Sequence, residues 1–345
     1  ERAMGSLRAK QNDFTRIDQN TVAMADIKRQ GEVLLIPRMG SNAEVLAAAY
    51  RGAGFRAEAL ALPDHDALEL GRRHTSGKEC LPMTITAGSL LARLERESDP
   101  TTRFAFFMPT ANGPCRFGTY NLLHKLILER TGWSDRVRVF SPADDDYFKE
   151  VDGGFQALIW AGFVAEDLLL DAYHHARPAE RSQGAARRVH ESFAARLRVL
   201  IENEGHGNLK IPRAIKEIAT GRLFGVGALI AEAAAAFART CDPSRALPTV
   251  QVVGEIYVRC DPFANGFVVD KLLERGVRVR FAPFSEWIEY TRWIGHKKRR
   301  NGISRDKRSA PVAHLTSALE SRVKSTLYGA MARPLGWPAR THVDE

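Results

Sequence analysis

Cysteine is scarce in this chain: Cys80, Cys115, Cys241 and Cys260 are the only four in 345 residues. That excludes a disulfide-stapled scaffold and points to a reducing compartment, expected to be the cytoplasm. No two cysteines have Cys-x-x-Cys spacing, which excludes a local zinc finger or a thioredoxin-type pair. Apolar runs are short, and none reads as the roughly 18 residues of a membrane span. Residues 1–12 lack the apolar core of a signal peptide. The chain starts at Glu1 without an initiator Met, as expected of a fragment or a processed chain. No Gly-x-x-x-x-Gly-Lys-Ser/Thr loop is present. Gly71 to Gly77 is one residue too long for it, and Glu79 stands where the hydroxyl residue belongs. Lysine is scarce as well, 12 against 38 arginines. In so alanine-rich a chain that skew fits a GC-rich genome, so arginine excess alone names no ligand.

Hydrophobic residues make up 44% and charged residues 26%, ordinary globular usage with enough chain for a real core. The length suggests about two domains. The net charge of +9 is concentrated. Between 291 and 308 lie eight basic residues and one acid, giving +7 and leaving +2 for everything else. Trp293 is the only aromatic in that run. It therefore reads as a solvated face or a docking patch for an acidic partner, and nucleic-acid binding is not expected.

The pattern along the chain is that of an α/β protein. Residues 1–30 read as a polar arm or a surface helix. Strands are expected at 33–37, 55–62, 104–108 and 137–140. Helices are expected at 43–51 (capped by Ser41 or Asn42), 81–94 and 117–129, the last with Leu122, Leu123, Leu126 and Ile127 on its apolar face. Strands alternating with helices predict a parallel sheet covered by helices. Asp144, Asp145 and Asp146 read as a helix start. Residues 147–245 contain no good strand and read as helical, notably at 168–175, 185–202 and 229–236. A strand at 249–258, a helix at 267–274, a strand at 277–281 and a helix at 287–294 complete a second, smaller lobe. The expected domains are thus 1–30, 31–146, 147–245 and 246–345.

Three cysteines stand out by position. Cys80 precedes a helix, Cys115 lies between a strand and a helix, and Cys260 follows the strand expected at 249–258. Such loops are where open α/β sheets bind ligands, and helix amino ends favour thiolate. Three thiolates from separate loops suit an iron–sulfur cluster with one iron open to a ligand. A zinc site with an open position is the competing reading. Cys241 has no comparable setting and reads as structural.

The stretches Arg73-His74-Thr75-Ser76-Gly77-Lys78-Glu79-Cys80-Leu81-Pro82, Gly113-Pro114-Cys115-Arg116-Phe117-Gly118-Thr119-Tyr120 and Gly254-Glu255-Ile256-Tyr257-Val258-Arg259 resemble the 2-hydroxyacyl-CoA dehydratase superfamily. The nearer resemblance is to the dehydratase-like region of CoA-substrate-specific enzyme activase fusion proteins, and it covers about residues 32–290. It implies two flavodoxin/Rossmann-like lobes with parallel sheets and a [4Fe-4S] cluster held by Cys80, Cys115 and Cys260, with Cys241 as the alternative third ligand. It also implies an ATP-dependent activator, fused or separate, that delivers a low-potential electron for radical dehydration or reduction of an acyl-CoA or other small molecule. A homo- or hetero-oligomer is expected, because true dehydratases work as two related subunits. The alternative is a non-catalytic subunit that relays electrons or docks the activator.

Other residues have weaker claims. Glu79 and His74 are candidate proton carriers beside Cys80. Arg116 would offset cluster charge, contact an acyl-CoA phosphate or form a structural ion pair. Glu255 in a buried strand would need a partner. His174 and His175 read as surface residues.

Overall fold

The computed structural model describes residues 22–111, 115–142, 151–207, 209–301 and 310–338. They form two compact units. The first is built from the described parts of Glu1–Arg38 and Phe55–Glu150, the second from those of Met39–Gly54 and Val151–Glu345. Both are α/β with parallel sheets.

The first unit carries a four-stranded sheet of β1 (Val33–Ile36), β2 (Arg56–Ala59), β3 (Phe104–Phe107) and β4 (Val137–Phe140). Its order is β2-β1-β3-β4, every pairing parallel. β1 and β3 are buried at every position, as continuous apolar runs in a covered parallel sheet should be. Leu35, Phe104, Phe106, Val137 and Val139 share one core with Met83, Leu90, Leu91 and Leu94 of helix Leu81–Glu95 and with Ile127 and Leu128 of helix Tyr120–Arg130. Just before β1, buried Glu32 pairs with Arg138 of β4 at 2.7 Å.

The second unit is mostly helical. Its centre is the 24-residue helix Gly153–Ala176, which packs on helices Asn42–Gly52, Ala185–Gly205, Val226–Thr240 and Ala310–Leu335. Helix Asn42–Gly52 belongs here although it links β1 to β2. A Cβ on Gly52 would lie 2.3 Å from the Glu202 carbonyl oxygen, so only glycine permits that helix crossing. The expected caps do not act: Ser41 occupies the N-cap position with no side-chain bond to the helix. β5 (Thr249–Val252) and β6 (Arg278–Phe281) form a parallel pair.

Two helices, Gly153–Ala179 with its 3-10 extension and Leu223–Thr240, are long and apolar enough to cross a membrane by length and composition, which corrects the reading of short apolar runs. Their apolar windows are 72% and 44% buried within the protein. The first is the second unit's core helix, with Leu158, Phe163, Val164, Leu169 and Ala172 all inside.

The strand expected at 249–258 stops at Val252. Gly254 takes φ +142°, and the Glu255 carboxylate accepts the Val258 N–H at 2.9 Å, capping a short helix, Ile256–Cys260. Glu255 is an exposed cap rather than a buried strand residue. Asp144, Asp145, Asp146 and most of the arm lie outside the described residues, as does 302–308 of the basic run.

Candidate functional site

In the first unit, the loop that carries His74, Glu79 and Cys80 is set by the helices on either side of it. Helix His65–Arg73 begins where the Asp64 carboxylate accepts the Ala67 N–H at 2.8 Å. It crosses helix Leu81–Glu95 at two glycines. A Cβ on Gly71 would meet the Thr84 carbonyl oxygen at 2.0 Å, and one on Gly88 the Ala67 carbonyl oxygen at 1.7 Å. Backbones that close fix the span the loop must bridge.

Within the loop, the Glu79 carboxylate accepts from the Ser76 N–H, the Ser76 hydroxyl and the Lys78 N–H, all at 2.9–3.0 Å. These donors, the Ser76 backbone first, hold its carboxyl below the usual carboxylate range. Glu79 is therefore ionised at neutral pH and turned inward to shape its own loop. His74 is the half-buried residue that closes helix His65–Arg73. Cys80 follows in extended conformation at the N-cap of helix Leu81–Glu95, whose Pro82 needs no hydrogen-bond acceptor for its nitrogen. It is half-buried, and it packs with Leu70 and Phe117 against the first unit's core.

Cys115 is exposed and stands at the N-cap of the 3-10 turn Arg116–Thr119, beyond the end of β3. Thr110 and Ala111 pack against Gly118. The Thr110 hydroxyl donates to the Gly118 carbonyl at 3.1 Å, and a Cβ on Gly118 would lie 2.6 Å from the Ala111 carbonyl oxygen. Arg116 Nη1 then donates to the Lys78 carbonyl at 2.8 Å. One hydrogen bond thus ties the residue after Cys115 to the residue two before Cys80. The structure brings these two cysteine loops together, and Arg116 joins them.

Beneath them lies a residue that sequence reading missed. His124 is 1% exposed. Its Nδ1–H donates to the Tyr120 carbonyl at 2.7 Å, leaving Nε2 beside the Thr86 hydroxyl at 3.2 Å. Burial pushes its pKa down to about 4, so the ring is neutral. The buried face of its helix is Tyr120, Asn121, His124, Ile127 and Leu128, while Leu122, Leu123 and Leu126 are only half-buried. The only signal was the four-residue spacing Tyr120–His124–Leu128.

Cys260 belongs to the second unit. It ends helix Ile256–Cys260 rather than following a strand, so no helix amino end favours its thiolate. Gly40, at φ +68°, lies against it, with a virtual Cβ 3.3 Å from the Cys260 carbonyl oxygen. Burial pushes the Cys260 thiol up to about 12, and the negative charge of Asp167 adds to the rise. Asp167 is buried, accepting from Asn42 Nδ2 at 2.8 Å, the Ser285 N–H at 2.8 Å and the Phe284 N–H at 3.2 Å. Cys241 is buried too, bridged through its backbone to Glu180, and burial likewise raises its thiol.

His174 is not a surface residue, and His175 is half-buried. His174 is 5% exposed against Phe281, and burial lowers its pKa to about 3. Arg292, counted in the basic run, is ion-paired with Glu320 and lies 5.7 Å over the Trp160 ring.

All four cysteines are free thiols. Among the described residues of either unit, no three Cys, His, Asp or Glu side chains converge as a metal site. What stands ready in the first unit is a pair of thiols, one half-buried and one exposed, on loops joined by an arginine. Compared with family models, curated proteins and solved structures, the chain finds no match.

Proposed function

We propose that this chain is a cytoplasmic [4Fe-4S] protein of the 2-hydroxyacyl-CoA dehydratase kind, reduced by an ATP-dependent activator and acting on an acyl-CoA or another small molecule. The observation that carries the reading is the Arg116–Lys78 hydrogen bond joining the loops of Cys80 and Cys115. Both cysteines sit at helix amino ends. The sheet order β2-β1-β3-β4 supports flavodoxin-like topology in the first unit, with the order reversing between β1 and β3. Cys115 lies in the loop that leaves β3.

The donor set fits an iron–sulfur cluster in chemical type, because thiolates are its usual ligands. Cys80 and Cys115 would hold it, with Cys260 as the third ligand the resemblance implies. When bound, the cluster supplies one-electron chemistry at low potential. The protein's own residues do the rest. Arg116 keeps the two loops in register and sets a positive charge beside Cys115. Glu79 fixes the turn ahead of Cys80. The core contact of Cys80 shields that side from water.

Anaerobic reconstitution of the full chain with iron and sulfide tests the reading. The expected product is brown and carries iron and acid-labile sulfide in equal amounts. A colourless protein, or one that retains only zinc, overturns it. Titrating a CoA ester into the loaded protein then separates an enzyme, whose cluster spectrum shifts, from an electron-relay subunit, whose spectrum does not.

A further inference from the structure

Along β6 the two-residue period of a strand sends Arg278 and Arg280 the same way, with buried Val279 between them. Both line a cavity of about 280 Å³, together with His175, Thr249, Trp337 and Pro338. All of these belong to the second unit. The wall opposite β6 is made by the way helix Ala310–Leu335 ends. Gly336 adopts φ +64°, its N–H donates to the Arg333 carbonyl at 3.4 Å, and the Trp337 N–H reaches back to the Ala332 carbonyl at 3.0 Å. This is a Schellman turn, and it swings Trp337 against the helix it has just left. The Tyr328 hydroxyl donates to the Pro338 carbonyl at 2.9 Å and holds the turn down.

The cavity collects donors and positive charge. Arg280 is balanced by Asp171, which its Nη1 meets at 2.9 Å, and its guanidinium lies 4.5 Å over the Trp337 ring. Arg278 makes no ion pair among the described residues, and its Nη2 touches only the Arg245 carbonyl, at 3.5 Å. Two buried donors of the lining, Arg278 Nε and Trp337 Nε1, have no hydrogen-bond partner among the described residues. His175, lowered to about 4 by burial and by both arginines, is neutral. Among the described residues the lining contains no carboxylate. Buried donors without acceptors cost free energy until something accepts from them.

We propose that this cavity binds a phosphate group, either as free phosphate or as the end of a small phosphorylated molecule. A tetrahedral dianion offers enough oxygens for two guanidinium groups, the Thr249 hydroxyl and the indole N–H, whereas a carboxylate offers two. The volume is near the lower end of ligand pockets, which run from about 300 Å³, so it leaves space for a few atoms beyond the phosphate. No cysteine takes part, and the proposal stands apart from the cluster reading.

Isothermal titration calorimetry on the full chain tests it, with inorganic phosphate, phenyl phosphate and acetate as probes. Phosphate is expected to bind saturably, with acetate at least about tenfold weaker. Arg278→Gln should weaken phosphate about tenfold or more, as loss of a charged donor requires. Trp337→Phe should weaken it severalfold, and it keeps the test decisive if Arg278→Gln does not fold. Cys80→Ser should change nothing. Phenyl phosphate binding more tightly than phosphate supports a phosphorylated small molecule, and equal or weaker binding supports free phosphate. No saturable heat up to about 10 mM, a Kd weaker than roughly 3 kcal/mol of binding, overturns the proposal. So does phosphate binding that survives both folded variants unchanged.

Discussion

The two units keep their cysteines in opposite ways. The first presents Cys80 and Cys115 at the starts of helices, one half-buried and one exposed, on loops tied by Arg116. In the second, Cys241 is buried and Cys260 half-buried, and loss of hydration raises both thiols. The same residue type starts a helix in one unit and, in the other, ends one with its thiol held protonated. The difference lies in solvent access and in which end of a helix carries the sulfur.

The largest expected effect breaks or sharpens that contrast directly. At pH 8 a thiol with a pKa of about 12 is ionised to roughly one part in 10⁴. Alkylation of the metal-free chain, followed residue by residue by mass spectrometry, should therefore label Cys115 at least about 100-fold faster than Cys260. Equal rates would erase the distinction. The same shift has a stability consequence. The unfolded Cys260 thiol ionises near the ordinary 9.0 of a free thiol and the folded one near 12, so the stability it contributes is present below pH 9 and is lost as pH rises from 9 towards 12.

Next in size is the scaffold of the Cys80 loop. Gly88→Ala forces a methyl group to within 1.7 Å of the Ala67 carbonyl oxygen and should cost about 3 kcal/mol in urea unfolding. Gly77→Ala, in the same loop region but with open space around it and φ +81°, should cost only about 1 kcal/mol. If the two costs match, the helix crossing does not set the loop.

Acid provides a comparable effect. The unfolded His124 imidazole takes up a proton below about 6.5, while the buried ring resists until about 4. Stability therefore falls as pH drops through that window, by about 3 kcal/mol from this residue. His174, His175 and His190 of the second unit act in the same direction, and Asp171, raised to about 6, partly offsets them. His124→Gln should reduce the dependence of the urea midpoint on pH between 6.5 and 4, and an unchanged dependence would contradict the burial argument.

The smallest effect on stability comes from Arg116→Gln. An exposed hydrogen bond is worth about 1 kcal/mol or less, so the melting temperature should barely move. Alkylation of Cys80 should nevertheless speed up severalfold as its loop is released. If Cys80 reacts at the wild-type rate, Arg116 does not tie the two loops.

Much of the first unit could be read in advance. β1 and β3 are apolar runs and β4 alternates around Arg138, and the structure places them at 33–36, 104–107 and 137–140. The helical middle was equally plain from its lack of strand-like runs. The second lobe was harder. Val250, Val252, Val253, Ile256 and Val258 suggest one long strand, but Gly254 and the cap made by Glu255 divide it into a strand and a helix. A turn of one residue outweighs β-propensity spread over ten. The Cys80 and Cys115 loops were visible as motifs. Their connection through Arg116, the buried His124 and the burial of Cys260 depend on tertiary neighbours, which no local pattern encodes. Trp337 and the two arginines of β6 lie more than 50 residues apart in sequence and meet only through the turn at Gly336.

The central claim is that Cys80 and Cys115 are the first unit's share of an iron–sulfur site. Its most direct test is the iron content of the anaerobically reconstituted chain, compared among wild type and the single Cys80→Ser, Cys115→Ser, Cys241→Ser and Cys260→Ser variants. The account predicts about four irons in the wild type, loss of the cluster in the first two variants and in Cys260→Ser, and full retention in Cys241→Ser. Iron that binds equally well without Cys80 and without Cys115 would contradict it.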